Sequence, residues 1–155
     1  MEDLKERTHE LAGFVEEASV AYGFDLGKVV AVGYSNGANI ATSLLLLRPG
    51  LLAGAVLLRP MVPFEPEVMP DLSGVPVLIA AGESDQMVPV AQPERLAQLL
   101  RKAGAEVDLR RHPGGHGLHR EELKEVQEWL LRWMPHPRPV SWGQEGGPAR
   151  SPHEY

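Results

Sequence analysis

The sequence predicts an α/β fold in which a mostly parallel sheet of about four strands lies between flanking helices. Short apolar runs rich in β-branched residues are typical of buried parallel strands, and they alternate here with longer amphipathic segments of helical spacing. The 155 residues are 43% hydrophobic and 23% charged, which is ordinary for one globular domain with a substantial core.

The first predicted helix is amphipathic and ends near Gly23. The apolar residues that recur at helical spacing along it are Leu4, Leu11, Phe14, Val15, Ala18 and Tyr22. The first strand, residues 28–33, is expected to be buried because its apolar run is continuous rather than alternating.

The same alternation continues to residue 134. Further strands are predicted at residues 52–58, 77–81 and 107–111, and further helices at 36–47 and 90–103. A last helix carries Leu123, Val126, Leu130 and Trp133 on one face. Residues 135–155 hold five prolines and three glycines with almost no apolar periodicity, which predicts a disordered tail after a domain of residues 1–134.

Charge and composition argue against several classes of function. The net charge is −6 and no basic cluster is present, which argues against nucleic-acid binding. The absence of cysteine excludes disulfides and thiolate metal sites, and we predict neither a metal nor a cofactor. The N-terminus is charged and the apolar run at residues 44–47 is too short to cross a bilayer, so we expect a soluble, cytoplasmic protein without a membrane span.

The motif Gly-Tyr-Ser-Asn-Gly at residues 33–37 lies between a predicted strand and a predicted helix. A serine at such a sharp turn has a strained backbone, and the flanking Gly33 and Gly37 leave room for it. The positive end of the helix dipole points at Ser35, where negative charge would develop during acyl transfer. Ser35 is a candidate nucleophile, and the backbone N–H of Asn36 is a candidate oxyanion-hole donor. The alternative is a serine that only caps the helix.

A serine nucleophile needs a base, and the base needs an acid that orients it. Asp85 is the candidate acid because it follows the third predicted strand, and sites collect at the carboxyl ends of parallel strands. The rival acids are Glu83, which comes early in the turn, and Asp108, which falls within a predicted strand. The alternative role for Asp85 is that of a solvated turn residue.

His116 is the candidate base, in the glycine-rich loop after the fourth predicted strand. Flanking glycines allow a loop to bring an imidazole close to another element. The rivals are His112, which is expected to close the strand, and His119, which is expected to start the last helix. A surface histidine is the alternative role. The order serine, acid, histidine, each in a loop after a strand, favours the catalytic interpretation.

Three stretches of the sequence resemble bacterial enzymes of the phospholipase/carboxylesterase family. They are VVAVGYSNGANIATSLLLLRPGLLAGAVLLRPMVP, PVLIAAGESDQMVP and HPGGHGL. Members are small α/β-hydrolases related to acyl-protein thioesterases and dienelactone hydrolases. The resemblance implies that Ser35 is the nucleophile, Asp85 the acid and His116 the base, acting on small-molecule esters or thioesters. Because dienelactone hydrolases carry a cysteine at the nucleophile position, Ser35 favours the esterase side.

The resemblance also implies a difference from the family. Its members carry an N-terminal part with several more strands and a His-Gly-rich loop that supplies the second oxyanion N–H, and nothing similar precedes Leu4. We therefore expect the C-terminal part of an α/β-hydrolase fold, with an open edge on strand 28–33. An open strand edge favours aggregation or pairing with another chain, including a homo-oligomer, although the sequence alone does not fix the oligomeric state.

Several functional hypotheses follow from these features. The first is a serine esterase that forms an acyl-enzyme, with Met61, Val62 and Phe64 lining an acyl pocket; the alternative is that these three residues only cover the sheet. The second is a catalytically weak or inactive fragment that acts by association. An acyl thioesterase is a lesser alternative. A peptidase of the same fold has little support, because nothing in the sequence specifies a peptide-binding domain.

Overall fold

The computed structural model describes residues 1–133 and confirms the α/β fold, with a four-stranded parallel sheet and flanking helices. The helices are α1 (Glu2–Tyr22), α2 (Asn36–Leu47), α3 (Ala91–Lys102) and α4 (Arg120–Trp133). The strands are β1 (Val30–Tyr34), β2 (Gly54–Leu58), β3 (Pro76–Gly82) and β4 (Glu106–His112). Among residues 1–133, no helix is both long and apolar enough to span a membrane. The predicted disordered tail, residues 135–155, lies outside the described residues.

Predicted and observed element bounds differ by only one or two residues in the sheet, and the start of β1 has a clear local cause. Leu26–Lys28 forms one turn of 3-10 helix where the sequence predicted the strand to begin. The side chain of Asp25 accepts a hydrogen bond from the N–H of Gly27 at 2.8 Å. This local side-chain bond favours a turn over an extended backbone, so the strand starts two residues later.

The sheet has the order β1-β2-β3-β4, and each neighbouring pair is parallel. A parallel pair needs a crossover that returns the chain to the same end of the sheet, and α2 and α3 provide this between β1 and β2 and between β3 and β4. The loops after β1, β3 and β4 therefore all leave from the same end of the sheet, where the carboxyl ends of the parallel strands lie. These loops carry Ser35, Asp85 and His116.

Alternate strand residues face two separate hydrophobic clusters. On one face, Leu57 and Ile79 are fully buried in a large cluster that includes residues of α2 and α3. On the other face, Val56 and Leu78 pack with Trp129 in a smaller cluster that α4 completes. The sheet is thus covered on both faces, as predicted, but the second face has much less cover within residues 1–133.

Helix α1 covers only part of the face that its large apolar residues indicated, since Leu4 and Val15 pack against the main core. Its buried residues are the small Thr8, Ala12 and Ser19, whereas Phe14 and Tyr22 are 65% and 83% exposed. Small side chains allow α1 to pack closely on α2. The two hydroxyls tolerate burial because each donates to a carbonyl of its own helix. The apolar periodicity correctly indicated a helix but only part of the face that is covered.

Helix α4 covers part of its predicted face, since Val126 and Leu130 pack in the second cluster, but it is rotated away from the other two predicted residues. Val126 and Trp129 are buried, whereas Leu123 and Trp133 are 50% and 42% exposed. Glu122 is buried as well, with 2% of its surface exposed. A buried carboxylate needs a partner, and the partner of Glu122, described below, fixes the rotation of this helix.

Strand β1 was predicted to be buried, and the structure contradicts this. Val32 pairs in register with the fully buried Val56, yet Val32 is 56% exposed. The reason is that α4 packs on β2 and β3 and does not reach over β1. The apolar composition of the strand therefore exceeds the burial that residues 1–133 provide.

The backbone of β1 has an open edge in the described part of the chain. The carbonyl of Val29 and the N–H of Ser35 bond to residues of or beside β2. Backbone groups alternate in direction along a strand, so the N–H and C=O groups of Val30, Val32 and Tyr34 point away from β2. Such an edge can pair with another strand.

We expect the 155-residue chain to self-associate through this edge. Sedimentation velocity at rising protein concentration should reveal a dimer or larger species, and Val32→Lys should weaken its formation because an edge charge opposes strand pairing. The matched control is Val90→Lys, since Val90 is also 56% exposed but precedes α3. A monomer at all concentrations, or equal effects of both substitutions, would contradict this prediction.

Candidate active site

Ser35 occupies the turn between β1 and α2 in a strained backbone conformation. Its φ is 55° and its ψ is −115°, a combination that residues with a Cβ rarely adopt. Two backbone hydrogen bonds hold it: the Ser35 N–H donates to the carbonyl of Leu58 at 2.8 Å, and its carbonyl accepts from the N–H of Asn39 at 3.1 Å. The conformation is thus fixed by both β2 and the first turn of α2.

The two glycines around this serine have different structural roles. A Cβ at Gly33 would overlap the backbone of Gly37 and Ala38, because β1 and α2 approach each other closely there. A Cβ at Gly37 would meet no atom within 4 Å. Gly33 is therefore required by packing, and the expectation that Gly37 also makes room for the turn is wrong, since Gly37 faces open space.

The side chains of Ser35, His116 and Asp85 meet at the carboxyl ends of the parallel strands. The Nε2 atom of His116 lies 3.1 Å from the Oγ atom of Ser35, and its Nδ1 atom lies 2.8 Å from Oδ2 of Asp85. The side chains of His116 and Asp85 are 17% and 2% exposed. The hydroxyl, the imidazole and the carboxylate thus form one continuous hydrogen-bonded line.

The surroundings of Asp85 keep it ionised. Burial alone would raise the pKa of Asp85, but the hydrogen bond from His116 and those from the N–H groups of Val88 and Met87 hold the pKa below its ordinary value. An ionised Asp85 accepts a hydrogen bond from the N–H at Nδ1 of His116. This leaves the Nε2 atom of a neutral imidazole free to accept a proton from Ser35.

The rival candidates have other roles. Asp108 pairs with Arg110 on the same strand, at 2.9 Å, and Glu83 is an exposed turn residue. His112 ends β4, and its Nδ1 atom lies 3.6 Å from the carboxylate of Glu122. His119 directly precedes α4, and its carbonyl accepts from the N–H of Glu122.

The backbone N–H of Asn36 is free of the hydrogen bonds of α2, because Asn36 is the first residue of that helix. It directly follows Ser35, and the helix dipole adds partial positive charge at the same point. The start of α2 can therefore stabilise negative charge on an oxygen beside Ser35.

A cleft of about 430 Å³ adjoins the start of α2. The predicted pocket residues Met61 and Val62 line it, together with Asp3, Leu4, Arg7, Asn36, Asn39, Ile40 and Pro63. Phe64, the third predicted pocket residue, does not line the cleft. It is buried in the main core, where the Lys5 ammonium lies 5.3 Å from the centre of its ring.

Two side chains that sequence reasoning missed fix the cleft wall. Oδ1 of Asn39 accepts from the N–H of Met61 at 2.9 Å, and Oε1 of Gln92 accepts from the N–H of Val62 at 3.0 Å. In a strand, these backbone N–H groups would bond to a neighbouring strand; in this loop the two side chains accept their hydrogen bonds instead. A polar residue within the apolar helix α2 was the available signal for Asn39.

A buried ion pair was also missed. It lies beneath residues 113–119, the histidine loop, which carries His116. Arg59 follows β2 and contacts Glu122 of α4 at 2.7 Å, with 0% and 2% of the two side chains exposed. An arginine that ends a continuous apolar strand was the available signal. Within residues 1–133, no group of three or more acidic or histidine side chains is arranged to hold a metal ion.

The different environments of Gly33 and Gly37 lead to a test by matched alanine substitutions. We expect Gly33→Ala to destabilise the fold by about 1–3 kcal/mol, because the new methyl group must push α2 from β1. Gly37→Ala should be neutral or slightly stabilising, since alanine is favoured in helices. Urea unfolding followed by circular dichroism measures both. Equal losses of stability would show that β1 and α2 are not in the close contact described here.

Comparison with known proteins places the chain among hydrolases. Residues 2–134 match the family model described as Phospholipase/Carboxylesterase. The chain is 44% identical over 127 residues to MhqD of Bacillus subtilis, covering 82% of this chain and 64% of MhqD. It also resembles the crystal structure of the Bacillus cereus carboxylesterase, with a TM-score of 0.82 and 44% identity over 84% of this chain and 62% of that one.

A further similar structure is the carboxylesterase from Mesorhizobium loti, with a TM-score of 0.77 and 38% identity over 83% of this chain and 61% of that one. The chain therefore spans less than two thirds of the length of each of these relatives. The family match extends over nearly all of the described residues. On this evidence the chain belongs to the phospholipase/carboxylesterase family of α/β-hydrolases.

Proposed function

We propose that the chain is a serine hydrolase that cleaves carboxylic esters through an acyl-enzyme on Ser35. The observation that carries the proposal is the line of hydrogen bonds from Ser35 through His116 to Asp85, with separations of 3.1 and 2.8 Å. An isolated serine hydroxyl is a weak nucleophile, and a correctly oriented imidazole is what activates it.

The proposed reaction has two halves that use the same groups. His116 takes the hydroxyl proton as Oγ of Ser35 bonds to the ester carbon, and then gives that proton to the alcohol as the ester C–O bond breaks. Water enters next and loses a proton to His116 as it attacks the acyl-enzyme. The bond to Oγ breaks, the acid leaves, and the proton returns to Ser35. Asp85 stabilises the imidazolium in both halves.

Negative charge develops on the carbonyl oxygen in each half-reaction. We assign its stabilisation to the backbone N–H of Asn36, supported by the position of this residue at the start of α2. A fixed donor of this kind typically contributes about 10²–10³ in kcat. In this assignment Asn36 acts through its backbone, so its side chain is not needed for the reaction.

We assign the acyl group to the cleft of about 430 Å³ beside Asn36, where Met61 and Val62 provide apolar contacts. Phe64 is left out of this assignment because its ring is buried in the core. The same site would accept a thioester, since the attacked carbonyl is equivalent. Ester cleavage is favoured by the carboxylesterase relatives.

A second candidate function is association without appreciable catalysis. It is favoured by the open edge that β1 has within residues 1–133. The two candidates differ in whether Ser35 is chemically activated in this chain. The predicted cytoplasmic location and the predicted absence of nucleic-acid binding stay predictions.

Covalent labelling with a fluorophosphonate probe distinguishes the two candidates, because the probe reacts with an activated serine. We expect one adduct on Ser35, located by peptide mass mapping. Ser35→Ala should abolish it, and His116→Ala should slow labelling by about 10²–10⁴, the usual contribution of a general base. Ser73→Ala, at an exposed serine in another loop, is the matched control and should label like the unmodified chain.

A folded chain that stays unlabelled would overturn the esterase proposal for these 155 residues and would leave association as the function. Folding is judged independently by circular dichroism and by a cooperative urea transition. Labelling of a different serine would equally contradict the assignment of Ser35.

The assignment of the acyl group to the cleft makes a separate prediction for chain-length preference. Met61→Trp should narrow the cleft and lower kcat/KM for p-nitrophenyl octanoate at least tenfold more than for p-nitrophenyl acetate. Met69→Trp is the control, since Met69 is exposed in the same loop between β2 and β3 and does not line the cleft. An equal effect of Met61→Trp on both esters would place the acyl group elsewhere.

A further inference from the structure

Arg59 has an unusual position for a charged residue. It directly follows β2, its φ is 56°, and its side chain is 0% exposed. A positive φ is uncommon for a residue with a Cβ, and a fully buried guanidinium is costly unless every N–H has a partner. The backbone is held there by a hydrogen bond from the N–H of Arg59 to the carbonyl of Ala80, at 2.9 Å.

The guanidinium binds the loop on both sides of His116. Its Nε–H donates to the carbonyl of Gly115 at 2.9 Å, and its Nη2 donates to the carbonyl of Gly117 at 3.0 Å. The intervening carbonyl, that of His116 itself, accepts from the hydroxyl of Tyr34 at 3.0 Å. Three consecutive carbonyls of the loop are therefore fixed by side chains from β1 and from the end of β2.

Glu122 holds the guanidinium in place. Its two carboxylate oxygens lie 2.7 and 2.9 Å from Nη2 of Arg59, and Oε2 also accepts from the N–H of His119 at 3.0 Å. Burial alone would raise the pKa of Glu122, but the hydrogen bonds from Arg59 and His119 hold the pKa below its ordinary value. The charged pair thus connects β2 and α4 to the two ends of the histidine loop.

We propose that Arg59, anchored by Glu122, is a positioning residue that holds the His116 loop in register with Ser35. The inference rests on the proposed function, because it concerns the base of the Ser35 reaction. The loop has glycine at positions 114, 115 and 117, so its own backbone preferences do not define one conformation. A displacement of about 1 Å in a catalytic group can cost roughly 10² in rate.

A role in stability alone explains Arg59 less well. Replacing a buried ion pair by apolar side chains of similar volume is often neutral or stabilising. Such a replacement would not restore the bonds to the carbonyls of Gly115 and Gly117. Arginine is suited to this task because its planar fork presents donors in several fixed directions, whereas lysine presents a single ammonium.

The decisive variant is the double substitution Arg59→Met with Glu122→Leu, which removes both buried charges together. We expect it to fold cooperatively but to react with the fluorophosphonate probe at least tenfold more slowly. In ester hydrolysis, kcat should fall tenfold or more while KM changes less than twofold, because the acyl cleft is untouched. Arg59→Lys, made in the unmodified chain, should retain only part of the labelling rate and of kcat.

Hydrogen exchange supplies a measurement that does not depend on catalysis. Amides of the segment 113–119 should exchange at least tenfold faster in the double variant, whereas those of β3 should be unchanged. The matched control is Arg110→Met, which removes ion pairs to Asp108 and to Glu125 of α4; the polar partners of the Arg110 side chain lie outside the segment 113–119. It should label at the rate of the unmodified chain.

Each outcome decides between two proposals. Equal labelling rates and equal exchange in the double variant and the unmodified chain would overturn the positioning role while the esterase proposal stands. An unmodified chain that folds but does not label would overturn the esterase proposal and the positioning role that rests on it. If the double variant does not fold, Arg59→Lys decides: labelling and exchange equal to those of the unmodified chain would overturn the role.

Discussion

The close contact between β1 and α2 is the constraint on which the candidate site depends. Because Gly33 has no Cβ, the backbone of α2 starts directly against the strand, and the chain must reverse within one residue. That residue, Ser35, has a strained backbone conformation with a φ of 55°. The same tight turn places the first free N–H of the helix beside the serine hydroxyl. A looser turn would separate the proposed nucleophile, Ser35, from the positive end of the helix.

The parallel order of the strands converts distant sequence positions into one site. Ser35 and His116 are 81 residues apart, and Asp85 and His116 are 31 apart, yet each follows a strand whose carboxyl end lies at the same edge. The two faces of the sheet contribute differently. The large cluster with α2 and α3 provides most of the described core, whereas α4 brings Glu122 to the histidine loop.

The sequence was informative wherever a feature depends on local chemistry. The strand runs, the turn at Ser35 and the glycines around His116 follow from spacing and from which residues allow sharp turns. Features that depend on a distant partner were not accessible. The buried face of α1 follows from how closely it packs on α2. The burial of Arg59 requires Glu122, 63 residues away, and no periodicity reports such a pairing.

Phe64 and Arg59 illustrate why the residue type alone does not determine the role of an apolar or charged residue near a site. Phe64 follows Met61 and Val62 by only a few residues and has the composition expected of an acyl pocket, yet the loop turns its ring into the core. Arg59 would be read from the sequence as a surface charge, yet its side chain is fully buried behind the histidine. For Arg59 the decisive factor is the direction that the backbone imposes at the end of β2. The positive φ of Arg59 sends the guanidinium under the His116 loop. The chain then continues into the loop that lines the cleft, so one turn connects the wall of the cleft to the guanidinium that binds the loop on both sides of His116.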